Sequence, residues 1–190
     1  MNKNIILVLF AILCAVQLAL PLKTVIDKQE LLNEGATYRF RLQPVDPVDP
    51  FRGRYITLRF ADRTYKYPSG QKSEVTRGDK IYVELTVDKD GFAMPSLIST
   101  EIPEGLYIEA KVQRNNWRKN KTFIDYPFDR FYMQEEKAKR AETITRRLRS
   151  DSIVAYAEVV ISNGEGVLKD VKVGKKSLQD VINEESELTP

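Results

Sequence analysis

The 190-residue chain has no histidine and one cysteine, Cys14. The first absence excludes His-based triads and imidazole-ligated metals; the second excludes a disulfide within the chain. Strong charge of one sign is also lacking, since 30 Lys and Arg face 27 Asp and Glu. Such a balance argues against nucleic acid as a partner. At 42% hydrophobic and 30% charged residues, the composition is that of a globular chain able to bury a core, in one domain or two small ones.

The N-terminus differs from the rest. Lys3 is the only charge before Lys23, and Ile5 to Leu20 are apolar except for Gln17. With Pro21 and Leu22 the run reaches the minimum length for a bilayer-spanning helix, at about 1.5 Å per residue across about 30 Å of hydrocarbon. Residues 5–22 are therefore expected to form a transmembrane signal anchor behind a cytoplasmic tail, 1–4. A cleaved signal peptide is the rival reading. The run exceeds the usual apolar region of such peptides, and Ala-x-Ala spacing is missing near its end, where Leu18 and Leu20 flank Ala19. Cys14 as a lipid-attachment site is disfavoured by bulky Leu13 before it, and it reads as a small apolar residue in the helix. A short, singly basic N-terminus places the remainder on the outer side of a bacterial inner membrane. Residues 23–35 form a polar juxtamembrane segment containing a brief helix that Gly35 ends.

Alternation of period two then dominates. Tyr38, Phe40 and Leu42 share one face of a strand, with Arg39 and Arg41 on the other. Three prolines at 44, 47 and 50 make an extended loop before Arg54 to Phe60, where Ile56, Leu58 and Phe60 alternate with Tyr55, Thr57 and Arg59. Lys80 to Val87 points Ile81, Val83, Leu85 and Val87 inward, Asp90-Gly91 turns the chain, and 92–98 returns, broken by Pro95. Further strands are expected at 106–112, at 153–161 before Asn163-Gly164, and at 167–173. Between them Ala138, Ala141, Ile144 and Leu148 form the apolar stripe of a helix over 134–149. The order of strands and turns repeats loosely, which predicts a first β module at 36–100, a second at 101–183 and a disordered acidic tail at 184–190. The fold class is mainly β (α+β): an N-terminal transmembrane helix, then two tandem small antiparallel β-barrel or sandwich-like modules with one amphipathic helix inserted in the second.

Asp49-Pro50, Arg52-Gly53, Tyr55, Leu58 and Phe60 together resemble the signature of the GDYXXLXY family of bacterial membrane-anchored proteins. Arg54 stands where the motif has Asp, and Phe60 where it ends in Tyr. Arg130-Phe131-Tyr132 and Glu135 resemble a later signature of the same family. The resemblance implies a membrane-anchored fold and no particular activity. Its residues form the candidate partner-binding set: Asp49, Pro50, Arg52, Gly53, Arg54, Tyr55, Leu58, Phe60, Arg130, Phe131, Tyr132 and Glu135.

Other groupings carry weaker signals. Arg52, Arg54 and Arg59 have the guanidinium forks of an anion site, although a solvated strand face explains them better. Trp117 with Arg118, Lys119 and Lys121 carries the composition of a contact with anionic lipid headgroups. Asp125 and Asp129, four apart, read as turn formers rather than a catalytic pair. Arg77-Gly78-Asp79-Lys80-Ile81 resembles strands of type I signal peptidases, whose Ser nucleophile needs a Lys base within hydrogen-bond reach. The Ser-x-Met expected beyond the anchor is missing, since Met94-Pro95-Ser96 has the wrong order. The expectation is a non-enzymatic binding or assembly protein with no cofactor and no metal. Its partners are the bilayer, through residues 5–22, and another membrane protein. A hydrolase or an anionic-lipid-binding module are the alternatives.

Overall fold

The computed structural model describes residues 3–43, 55–71, 73–133 and 154–188. The chain divides into two units, residues 1–35 and 36–190.

The first unit is one helix, α1 (Lys3–Glu34), long and apolar enough to cross a membrane. Apolar side chains cover its whole circumference in the N-terminal two thirds: Leu7, Phe10 and Leu18 are all well exposed. An all-round apolar surface suits lipid rather than one packed face. The brief juxtamembrane helix expected after residue 22 is instead a continuation of α1. Pro21 lies inside it, where its ring nitrogen has no proton to donate to the Gln17 carbonyl. The helix is continued beyond it by local pairs, with Lys23 3.0 Å from Asp27 and the Thr24 hydroxyl donating to the Leu20 carbonyl at 3.2 Å. It stops before Gly35, whose N–H still donates to the Leu31 carbonyl.

The second unit is strand-rich. A five-stranded antiparallel sheet has the order β3-β7-β6-β4-β5, from β3 (Thr64–Lys66), β4 (Lys80–Val87), β5 (Ala93–Ser99), β6 (Tyr107–Asn116) and β7 (Lys121–Asp125). A four-stranded sheet has the order β1-β9-β10-β11, from β1 (Ala36–Arg41), β9 (Ala155–Ser162), β10 (Glu165–Val173) and β11 (Lys176–Ser177). A separate ribbon pairs β2 (Tyr55–Thr57) with β8 (Arg130–Tyr132). The mainly β class and both expected hairpins, β4–β5 and β9–β10, are present. A division at residue 100 is not. Each hairpin seeds a different sheet, but β1 crosses to pair with β9, while β6 and β7 cross to join β4 and β3.

Alternation explains most of the burial. Ile81, Val83 and Leu85 are buried in β4, as are Ile108, Ala110 and Val112 in β6. Val87, expected inward, is half exposed because it ends its strand at the turn. Pro95 does not break β5: this is the end strand of its sheet, and a register shift between Glu84 and Leu85 accommodates it. Phe40, Phe60, Tyr126 and Phe128 form the aromatic centre, with ring centroids 5.1 to 5.8 Å apart. Gly166 of β10 lies against it, so close that a Cβ would meet the Phe128 ring at 2.8 Å. The Asn163-Gly164 turn also docks on the larger sheet, the Glu109 N–H donating to the Gly164 carbonyl at 2.8 Å. The chain ends in α2 (Leu178–Leu188), which buries Leu178 and Ile182 and ties Glu184 to Lys176 at 2.7 Å. Residues 184–188, expected in a disordered tail, are therefore helical. The expected helix over 134–149 lies outside the described residues.

Candidate functional site

The β2–β8 ribbon joins residues more than seventy positions apart in sequence. Tyr55 stands directly opposite Tyr132, Ile56 opposite Phe131 and Thr57 opposite Arg130. The Leu58 N–H continues the pairing by donating to the Asp129 carbonyl at 2.6 Å. Period-two alternation gives the ribbon two faces. Phe131 and Leu58 are buried in the hydrophobic core, and Ile56 is half-buried against it. The other face carries Tyr55, Thr57, Arg130 and Tyr132.

The outer face is ordered by its own contacts. The Tyr55 and Tyr132 rings lie 5.5 Å apart, and the Arg130 guanidinium sits 5.2 Å above the Tyr55 ring. The neighbouring Tyr132, with Tyr55 and Asp129, holds the Arg130 pKa above its ordinary value. Tyr132 is 64% exposed, a large amphipathic ring held outward in a fixed setting. Two tyrosines and an arginine so presented have the composition of a protein-binding hot spot.

Beside the ribbon runs a groove of about 290 Å³, lined by Glu109, Lys111, Asp125, Asp129 and Arg130 among others. It carries both signs of charge. Desolvation pushes the Asp129 carboxyl above its ordinary pKa, Asp125 adds to this, and Arg130, 3.8 Å away, opposes it. Asp125 and Asp129 thus share one groove; both were expected to form a turn, but Asp125 ends β7 and the turn itself is Pro127-Phe128.

Of the residues the sequence singled out, the structure brings Tyr55, Arg130 and Tyr132 together at the surface. Leu58, Phe60 and Phe131 are buried, which makes them the footing of the ribbon rather than its contact face. Asp49, Pro50, Arg52, Gly53, Arg54 and Glu135 lie outside the described residues. Trp117, Arg118, Lys119 and Lys121 are elsewhere, at the β6–β7 turn.

Two arrangements had no signal in the sequence. Arg41 stacks 4.3 Å from the Phe92 ring and pairs with Asp88 at 2.9 Å, Asp62 at 3.3 Å and Asp90 at 3.4 Å. The Phe92 N–H and then Arg41 hold the Asp88 carboxyl below its ordinary pKa. In the larger sheet the fully buried Thr122 hydroxyl meets Asn115 at 2.7 Å and both Tyr67 and Ser73 at 3.3 Å. Among the described residues no group of three or more His, Cys, Asp or Glu is placed to hold a metal ion. The Ser73 hydroxyl turns to Thr122 and the Val75 carbonyl, and Ser177 to Asp170; Lys80, Lys172 and Lys176 each face a carboxylate. These partners differ from the Ser–Lys pair that peptidase chemistry requires.

The family described as GDYXXLXY protein matches residues 17–171 of the chain. No curated protein and no solved structure matches it.

Proposed function

Because the chain belongs to the GDYXXLXY family, with residues of both signatures meeting in one ribbon, we propose that it is a membrane-anchored binding protein whose working face is Tyr55, Arg130 and Tyr132. α1 acts as the uncleaved anchor, and Lys3, ahead of its apolar run, favours a β unit on the periplasmic side of a bacterial inner membrane. The partner is another membrane protein. The observation that carries this is the ordered exposure of the three side chains: a rigid aromatic pair capped by a guanidinium loses little conformational entropy on binding. The adjacent groove offers both signs of charge to polar groups of that partner.

Photo-crosslinking in the native membrane, with the reactive amino acid at Tyr55 and separately at Tyr132, tests the proposal. One membrane protein captured from both positions, and lost on Arg130→Gln with thermal stability unchanged, is the expected result. Capture that is insensitive to Arg130→Gln, or no capture at either position, overturns it. Resistance of the full chain to extraction from membranes by alkaline carbonate is expected of an anchored protein. Release into the soluble fraction would remove the anchor.

A further inference from the structure

We infer that the turn between β6 and β7 is a second contact surface, one that docks on an anionic bilayer. Trp117 to Lys119 form a single 3-10 turn at its tip. The indole of Trp117 is 61% exposed, yet the backbone beneath it is firmly braced. Asn116 accepts from the Lys119 N–H at 3.2 Å, and Asn120, left-handed at φ 49°, donates through its side chain to the Gln71 carbonyl at 2.8 Å. The Tyr67 N–H returns to the Asn120 carbonyl at 3.1 Å. A large ring is thus held in solvent by a well-bonded loop, where burying it would be favourable.

Cations are concentrated along the strands that lead into and out of this turn. From Gln113 to Ile124 the sequence contains Arg114, Arg118, Lys119 and Lys121 and no acidic residue. Lys121 stands directly opposite Lys66 of β3, and the Arg114 guanidinium lies 3.9 Å from the Phe123 ring on the same stretch of strand. Like charges facing each other across a strand pair are destabilising, so the Lys66–Lys121 pair is unfavourable unless an anion lies over it. Among the described residues none of Lys66, Arg114, Arg118, Lys119 or Lys121 forms an ion pair within the fold. An exposed indole on a turn flanked by unpaired cations matches the headgroup region of an anionic bilayer, where Trp prefers the interface and Lys and Arg the phosphate layer. The inference uses the anchoring reading only for reach, because a membrane-spanning α1 keeps the β unit tethered to a bilayer.

Trp117 is the sole tryptophan of the chain, so its fluorescence reports on this tip alone. The test places the full chain in nanodiscs of phosphatidylcholine, with and without phosphatidylglycerol, and includes brominated acyl chains as quenchers. The expected result is a blue shift and quenching of Trp117 in the anionic discs only. Both are lost in the triple variant Arg118→Gln, Lys119→Gln, Lys121→Gln. Raising salt from about 0.1 to about 1 M shortens the screening length from about 10 to about 3 Å, and it reverses the signal in the wild-type chain. That series decides the matter without the variant if the variant misfolds. Emission identical in both lipid compositions, quenching indifferent to salt, or a response to single-stranded DNA in place of anionic lipid overturns the inference. Failure of the anchoring reading is distinguished by carbonate release.

Discussion

Replacing Phe40 by Ala removes the ring that β1 contributes to a core otherwise built largely from residues 58 to 128. Phe40 is 1% exposed and meets Phe60, Tyr126 and Phe128 at 5.8, 5.6 and 5.1 Å. Truncating a buried Phe costs about 3–5 kcal/mol, and three aromatic neighbours place this one toward the upper end, about 4–5. In a unit of 155 residues (190 − 35), each kcal/mol lowers Tm by about 2–4 °C, so the expected fall is about 8–20 °C. Phe40→Leu keeps most of the buried volume, loses the ring contacts, and falls by less. Thermal unfolding of the full chain in detergent, followed by near-ultraviolet circular dichroism, measures both. Amide hydrogen exchange then locates the loss. Because β1 pairs with β9 and its ring packs on residues before and after β6, protection in β6 and β9 should drop by the same factor. Loss confined to β9, or two separate thermal transitions, would refute the single interleaved unit.

Two further substitutions probe the turn and the groove. Gly164→Ala forces φ +80° on a residue with a Cβ and drives that carbon into the Tyr107 ring. The left-handed backbone alone costs about 1–2 kcal/mol, and the expected total is larger; an equal loss in a Tyr107→Ala background would exclude the ring clash. For Asp129, the raised pKa means that the fold penalises the charged carboxylate, a penalty absent below the unfolded value and complete above the folded one. Asp129→Asn should therefore raise the urea midpoint at about pH 7 and leave it unchanged at about pH 3. A gain that is the same at both pH values would dismiss desolvation as the cause.

Much of the second unit was legible in sequence because period-two alternation survives where one sheet face is buried. It located β4, β6, β9 and β10 to within a few residues, and Gly164, at φ +80°, sits in the turn that Asn163-Gly164 announced. Alternation says nothing about which strand pairs with which. β1 and β9 look like members of separate repeats, and the crossing rests on six paired residues and on Phe40 packing against rings after residue 58, neither of which has a period to read. Short strands were missed for a related reason: the three residues of β8 carry one buried side chain, Phe131, too few to show a period. The two signatures marked Tyr55 and Tyr132, but not that they would be cross-strand partners. Arg41 gave no sign of its three carboxylates, since the nearest in sequence is 21 residues away.

The crossing of β1 also sets a timetable. Arg41 pairs with Tyr156 and Ala36 with Ile161, separations of 115 and 125 residues (156 − 41 and 161 − 36). At ribosomal rates of about 5–20 residues per second, β1 waits about 6–25 s for its partner to be made. The first strand synthesised is among the last to be satisfied, and it must stay unpaired without seizing a neighbour. Arg39 and Arg41 alternate along it, charges of the kind that keep an open strand edge from pairing with another chain. The same arginines that later settle over Tyr156 and Phe92 thus guard the strand while the rest of the chain arrives.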